Sequence, residues 1–119
     1  MNWQFSNDAP IYAQLIGQIR AGIVSGAFSP GERLPSVRDL AMEAGVNPNT
    51  MQRALAELEA RGLLETQRTA GRTVTGDVEK IAQTRRALAQ TLVHHFYHQA
   101  AALGLTKAEI AALLEQEEA

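Results

Sequence analysis

Two predicted helices separated by one glycine turn constrain this chain more than any other feature. Pro35 disfavours helix upstream of it, and Ser36 with Asp39 three residues later has the form of a capping box. Gly45 ends this first helix, because a residue without a Cβ adopts the left-handed conformation at the least cost. We therefore predict a short helix at about 36–44 that begins and ends abruptly.

The second helix of the pair follows at once. Asn47 is a favoured cap residue, and Pro48 takes the first helical position, where its missing N–H is not needed. We predict a helix at about 47–61, with Gly62 as its C-cap. Its inward face is Met51, Ala54, Leu55 and Leu58. Helices joined by so short a turn cross steeply, which leaves the polar face of the second helix free to enter a DNA major groove.

A β-hairpin is predicted directly after this pair. Residues 63–66 and 73–75 have the composition of strands, and the tip at 67–72 carries Arg68 and Arg72. Arginines at an exposed tip can donate to phosphates, as the wing of a winged helix does. The alternative is a plain solvated hairpin, which its position after the helix pair makes the less favoured interpretation.

An amphipathic helix at about 10–25 precedes the pair, with Asp8 or Asn7 as its predicted cap. Its apolar positions are Ile11, Leu15, Ile16, Ile19 and Ile23. Trp3 and Phe5, further upstream, are predicted to form an arm packed on the core.

The pattern returns to helix from Val78, breaks at Gly104 and restarts at Thr106, which forms a second capping box with Glu109. This helix pair is too apolar to be left in water and too small to build its own core, so it packs either on the first domain or on a second copy. We favour the second copy. The predicted dimer interface is Ile81, Leu88, Leu92, Phe96, Leu103, Ile110 and Leu114.

The predicted fold is therefore mainly α with a small β-hairpin. Residues 1–76 form a winged helix-turn-helix, and residues 77–119 form a two-helix dimerisation tail. The chain of 119 residues has no cysteine, which fits a reducing cytoplasm, and it has no signal peptide or bilayer-length apolar run. We expect a cytoplasmic protein without a membrane partner.

The net charge of −2 argues mildly against nucleic-acid binding. Residues 1–76 carry as many arginines as acidic residues and no lysine, so the negative charge arises from residues 77–119. Arginine is the residue best suited to bidentate contact with phosphate and guanine. A neutral domain can bind DNA through a few arginines on one face, but its non-specific affinity should be weak.

Three histidines, His94, His95 and His98, raise the question of a metal site, since His94 and His98 lie four residues apart on one helical face. No nearby acid or cysteine completes a ligand set, so we predict no metal and no cofactor. A pH-sensitive dimer is a weaker hypothesis. Thr91 has no orienting acid, and no phosphate-binding loop or dinucleotide fingerprint is present, so no enzyme is predicted.

Many of these positions match one known family. They are Pro10-Ile11-Tyr12-Ala13-Gln14-Leu15, Ile19, Ile23, Gly26, Gly31-Glu32, Leu34-Pro35-Ser36-Val37-Arg38-Asp39-Leu40-Ala41, Val46-Asn47, Asn49-Thr50-Met51, Ala54-Leu55, Leu58, Gly62-Leu63-Leu64 and Gly71-Arg72-Thr73-Val74. Over residues 8–76 the chain resembles the GntR family of bacterial transcription regulators. The tail, with Leu103-Gly104-Leu105-Thr106-Lys107, is similar to that of the YtrA subfamily. The resemblance implies a dimeric repressor, of a kind often encoded beside membrane-transport operons.

The resemblance also implies which residues contact DNA. Carried over to this sequence, they are Ser36, Arg38, Asn47, Asn49, Thr50, Gln52, Arg53, Arg68, Gly71 and Arg72. The outward face of the second helix agrees: Asn49, Gln52 and Arg53 can reach base edges, where Asn or Gln suits adenine and Arg suits guanine. We predict that the phosphates are contacted by Arg38, Thr50, Arg68 and Arg72.

Two departures from the family pattern affect these contacts. Many relatives have Gly-x-Gly in the wing, where this chain has Ala70-Gly71-Arg72, so we expect a less flexible tip. Pro48 removes a backbone donor that could have met a phosphate.

The sequence thus predicts a dimeric repressor that binds a palindromic DNA operator, with a helix at 47–61 in the major groove and a wing at 67–72 beside it. The alternative from another class is a winged-helix adaptor that binds a protein such as RNA polymerase; its recognition face should be apolar. A small-molecule effector, if one binds, must sit at the dimer interface or between tail and core, because the tail is too short for a separate ligand-binding domain.

Overall fold

The computed structural model describes residues 1–69 and 71–118. These residues form five helices and one antiparallel hairpin, which confirms the predicted mainly-α class. In chain order they are α1 (Ile11–Ser25), α2 (Val37–Ala44), α3 (Pro48–Ala60), β1 (Leu64–Gln67), β2 (Gly71–Val74), α4 (Val78–Ala102) and α5 (Lys107–Glu115). The chain divides into two compact units, Met1–Arg85 and Arg86–Ala119, so α4 begins in the first unit and ends in the second.

Side-chain caps start both helices of the pair, as predicted. Ser36 Oγ accepts the backbone N–H of Asp39 at 3.1 Å, and Asn47 Oδ1 accepts that of Asn49 at 2.8 Å. Only the box at Thr106 and Glu109 has both of its reciprocal bonds among the described residues. An aspartate at the third helical position is one methylene shorter than the glutamate of a full box, which explains the missing bond at Ser36.

The start of α1 differs from the prediction. Pro10 occupies the N-cap position, with no side-chain cap hydrogen bond, so the expected caps Asp8 and Asn7 were wrong. Proline before the first helical residue forces the preceding backbone to be extended, which places Asp8 too far from the free N–H groups. The backbone N–H of Asp8 instead donates to Ser6 Oγ at 3.3 Å.

Two glutamines on α1 hold the chain upstream of the helix. The amide of Gln14 accepts from the N–H of Ser6 at 2.9 Å and donates to the carbonyls of Ser6 and Ala9 at 2.9 and 2.6 Å. The amide of Gln18 accepts from the N–H of Gln4 at 3.0 Å and donates to its carbonyl at 2.6 Å. Each glutamine uses both its donor and its acceptor, so this segment is fixed to α1 through its backbone.

The predicted aromatic arm packs on the core. The rings of Trp3 and Phe5 stack with centroids 6.2 Å apart, and both are half-buried against the core. Trp3 Nε1 donates to Glu43 Oε1 at 3.0 Å, and the amino group of Met1 donates to the same oxygen at 2.9 Å. These two hydrogen bonds, that of the amino group first, lower the pKa of Glu43.

The core of the first unit lies where α3 crosses α1 and the hairpin. Small side chains at Ala41 and Ala54, both buried, let the helices approach closely. The fully buried large side chains are Leu15, Ile19, Ile23, Met51, Leu55, Leu58, Leu63, Leu64 and Val74.

The hairpin is longer than predicted. Leu64 pairs with Val74 and Gln67 with Gly71, so residues expected in the tip continue the strands and only residues 68–70 lie between them. Ala70, part of the predicted wing tip, lies outside the described residues. A third segment extends the hairpin: Arg33 forms a bridge with Thr73, and the N–H of Leu34 donates to the carbonyl of Arg72 at 2.9 Å. The start of α2 is thereby fixed beside β2.

In the second unit, Ala100 near the end of α4 and Ile110 of α5 are buried, and both line one groove. Among the described residues, no helix is both long enough and apolar enough to cross a membrane.

The glycine turn gives a testable prediction. Gly45 has φ of 71°, and a Cβ there costs about 1–2 kcal/mol because L-residues avoid this region. Gly17 is the matched control: it lies inside α1 with no atom within 4 Å of an added Cβ. Urea unfolding should show Gly45→Ala destabilised and Gly17→Ala stabilised, the latter by about 0.5–1 kcal/mol. Equal effects at both positions would contradict the turn geometry.

The arm gives a second prediction, which is measured by the fluorescence of Trp3, the only tryptophan in the sequence. A carboxylate with a lowered pKa stabilises the folded state above the ordinary glutamate pKa, and that stabilisation is lost as the pH falls through the lowered value. Acidification into that range should therefore loosen Trp3 from Glu43, while the glutamine contacts hold the rest of the arm, and shift Trp3 fluorescence to the red before global unfolding. Glu43→Gln should show the shifted spectrum already at neutral pH. An unshifted Glu43→Gln spectrum would show that Glu43 does not hold the arm.

Candidate nucleic-acid interface

The outer face of α3 is polar and free. Asn49, Gln52 and Arg53 are exposed on it, while the four predicted inward residues are buried: Met51, Ala54, Leu55 and Leu58. The helix begins with Asn47 and Pro48: proline has no N–H to offer, and the N–H of Asn49 is taken by the cap, so side chains rather than backbone donors dominate this end of the surface. An apolar recognition face, which the adaptor alternative requires, is not what this surface offers.

Acidic residues confine this surface to the first half of α3. Both acids of the helix lie in its second half: Glu57 pairs with Arg61 at 2.9 Å, and Glu59 faces the hairpin. Carboxylates repel phosphates, so the N-terminal turns of α3 are the part suited to approach a duplex. The positions of these two acids are visible in the sequence, but the prediction of the DNA-binding face did not depend on them.

Arg53 is held by an aromatic ring on α1. Its guanidinium carbon lies 4.6 Å from the centroid of the Tyr12 ring, within the range of a cation–π interaction. The contact orders a long side chain at the centre of the polar face and lowers the entropy cost of using it in binding. No local pattern in the sequence connects these two residues.

The two hairpin arginines differ in their surroundings. Arg68 is exposed in the turn after β1, as a free phosphate donor would be. Arg72 lies on β2 with its side chain 18% exposed. Its Nη1 donates to Gln52 Oε1 at 3.4 Å, and its Nε lies 3.4 Å from Glu59 Oε1. The structure thus brings Arg72 and Gln52 together, while Arg68 has no such partner among the described residues.

The remaining predicted DNA contacts border the same surface. Ser36, Arg38, Asn47 and Gly71 are exposed, and Thr50 is half-buried. A cleft of about 300 Å³ between the start of α2 and the hairpin has Ser36, Gly71 and Arg72 among its lining residues. The oxygens of Ser36 and Asn47 are engaged in helix caps, so hydrogen bonds to DNA from these two positions require the hydroxyl proton, the amide NH₂ or nearby backbone N–H groups.

The residues predicted for a dimer interface fall into two groups. Leu92, Phe96, Leu103 and Leu114 are exposed, Leu92 at 71% and Leu103 at 81%, and Leu88 is half-buried. The other two are covered within the chain: Ile81 is 9% exposed in the core of the first unit, and Ile110 is 7% exposed in the second. Helical spacing alone could not separate the residues that face the chain's own core from those that face outward.

The histidines lie on the exposed surface of α4. The rings of His94 and His98 are 4.4 Å apart at a steep angle. In the part of the chain that the structure describes, no group of three potential ligands could hold a metal ion.

Comparison with known proteins identifies the fold. The family model described as bacterial regulatory proteins of the gntR family matches residues 11–74. An uncharacterized HTH-type transcriptional regulator of Bacillus subtilis, YhcF, is 38% identical over 110 residues, which cover 92% of this chain and 91% of that protein. The HTH-type transcriptional repressor YtrA of the same organism is 34% identical over 97 residues, 76% of this chain and 75% of its own.

A solved structure extends the likeness over almost the whole chain. A GntR family transcriptional regulator from Listeria monocytogenes superposes with a TM-score of 0.89 at 38% identity, over 96% of this chain and all of that one. The family resemblance and the winged-helix fold predicted from the sequence are thereby confirmed. The chain belongs to the GntR family of bacterial regulatory proteins and is a YtrA-like, DNA-binding transcription regulator rather than an enzyme.

Proposed function

We propose that this regulator acts as a homodimeric repressor on a palindromic operator, in the cytoplasm where bacterial DNA lies. Residues 1–76 serve as the DNA-binding domain and residues 77–119 as the dimerisation tail. The observation that carries the proposal is the exposed polar face of α3 beside an arginine-bearing hairpin. Repression is supported by the likeness to a protein named as a transcriptional repressor, YtrA.

The proposed DNA contacts fall into two groups, contacts with base edges and contacts with phosphates. Asn49, Gln52 and Arg53 stand at the outer face of α3 and meet base edges in the major groove. Arg38, Thr50 and Arg68 border that face and hold phosphates, which sets the register of the helix on the duplex. Acidic residues in the second half of α3 oppose deeper insertion, so the N-terminal turns enter first.

A second copy is the partner we propose for the tail. The exposed side chains of Leu92, Phe96, Leu103 and Leu114 leave a large apolar area in water, which a protein of this size covers at an interface. Within the second unit, a groove of about 750 Å³ is lined in part by Phe96, Leu103 and Leu114. An isologous dimer places two α3 helices in the two-fold arrangement that a palindrome requires. The same groove is where a small apolar effector, if one binds, has room.

DNA binding is tested by fluorescence anisotropy with DNA from upstream of the chain's own gene against scrambled DNA. We expect two subunits per site, at least a hundredfold preference, and affinity that falls steeply with salt, as about six to ten phosphate contacts per dimer require. Arg53→Ala should cost about 1–3 kcal/mol and relax one base position. Arg86→Ala, in the tail, removes the same charge and should change little. Equal, weak binding to both DNAs would contradict the proposed operator.

Dimerisation is tested by sedimentation equilibrium. Leu92→Glu buries an unpaired carboxylate in the proposed interface and should raise the dimer dissociation constant at least about tenfold, a cost near 1.4 kcal/mol or more. Met42→Glu is the matched control, an exposed apolar side chain on α2 that should leave the association unchanged. A monomeric unmodified chain, or equal effects of both substitutions, would contradict the tail interface.

A further inference from the structure

The side chain of Arg72 lies between two side chains of α3, those of Gln52 and Glu59. Nη1 donates to Gln52 Oε1, and Nε lies against Glu59 Oε1, both at 3.4 Å. Glu59 also accepts the hydroxyl of Thr66, which ties its carboxylate to β1. The guanidinium therefore joins the hairpin to α3, with its Nε buried and the side chain 18% exposed.

Arg72 has restricted freedom to leave this position. Its Nε is buried, with its charge opposed by Glu59 although the geometry gives it no hydrogen bond. Turning the side chain toward a phosphate would separate it from Glu59 and Gln52 together. Arg68, exposed in the adjacent turn, carries the same charge and has no such enclosure among its described surroundings. The two arginines of one hairpin are thus placed for different tasks.

The chemistry of the pair fixes the orientation of the Gln52 amide. A guanidinium has five N–H donors and no acceptor, so the amide atom that faces it must be the carbonyl oxygen. The usual uncertainty between the oxygen and nitrogen of a glutamine is removed by this partner. The NH₂ group of Gln52 is then the end of the amide that does not face Arg72, and the residue is exposed.

A glutamine whose oxygen is held in this way differs from a free glutamine in which base it can recognise. A free amide binds adenine through both ends: it donates to N7 and accepts from N6. With a cation at its oxygen, a second donor such as the adenine amino group is disfavoured there by donor–donor repulsion. Guanine offers acceptors at both N7 and O6, which suit the free N–H groups.

We propose that Arg72, held by Glu59, is a positioning residue that makes Gln52 read guanine in preference to adenine. The inference rests on the proposed operator binding and refines it. It gives Arg72 a part in the recognition of base identity, in place of the phosphate contact predicted from the sequence. A phosphate contact acts on all sequences alike, so the two roles differ in a measurable way.

The experiment selects binding sequences from random duplex DNA with the full-length protein and then with each variant. The unmodified chain should yield a motif with guanine at one position in each half-site. Gln52→Met identifies that position, because the preference there should vanish. Arg72→Met should lower the guanine-to-adenine ratio at the same position by about tenfold, the size of one base-specific contact, and leave the other positions unchanged.

Two further variants separate positioning from charge. Arg68→Met removes the neighbouring positive charge and should weaken every sequence about equally without changing the motif. Glu59→Gln removes a negative charge that faces the hairpin, so affinity for random DNA should hold or rise while the guanine preference falls. A thermal melt of each variant verifies that it folds.

The outcomes are distinguishable. An Arg72→Met chain that keeps the full motif and binds all sequences more weakly would overturn the inference and return Arg72 to a phosphate role, with operator binding intact. If the unmodified chain selects no sequence at all, the proposed function fails and the inference falls with it.

Discussion

The contact between α1 and the buried face of α3 determines what the rest of the first unit can present. Leu15, Ile19, Met51, Leu55 and Leu58 are almost completely buried, and burial of side chains of this size is worth about 1.5–3 kcal/mol each. Because four apolar positions of α3 face inward, its remaining positions must face outward, and these carry the polar side chains. The same packing brings Tyr12 of α1 under Arg53. The orientation of these polar side chains is thus set by the apolar interface buried beneath them.

Local chemistry made much of this fold predictable. Caps at Ser36, Asn47 and Thr106 and the left-handed Gly45 are determined by interactions within about one helical turn, so the sequence shows them directly. The same reasoning failed at α1, where Asn7 and Asp8 looked like caps and Pro10 excluded them. It also ended β1 too early and began β2 too late, because the pairing of Gln67 with Gly71 depends on cross-strand partners and not on composition.

The candidate site was predicted as a set of residues, but not as an arrangement. Spacing placed Asn49, Gln52 and Arg53 on one face, since helical periodicity is a local property. The contacts of Arg53 with Tyr12 and of Arg72 with Gln52 join residues from different elements, and they exist only once the helices and hairpin are packed. Ile81 illustrates the same limit: it continues the apolar stripe of α4, yet it lies in the core of the first unit.

The positions of the charged residues say more about DNA binding by this protein than its net charge does. The arginines and acids of the first unit nearly balance, but on α3 the acids occupy the second half and leave the first half free of negative charge. A regulator with a small net field is attracted weakly to DNA in general, so its selectivity depends mainly on contacts at the bases.

The amides of Gln14 and Gln18 hold the arm by its backbone alone, through the N–H and carbonyl groups of residues 4 and 6. A segment recognised in this way is insensitive to its own side chains at those positions, because every residue type except proline offers the same two groups. Gln4 and Ser6 are consequently free to vary in evolution without loss of the attachment. The attachment instead constrains the two glutamines of α1. Replacement of either one, even by glutamate, would remove the N–H donors that the carbonyls of the arm require.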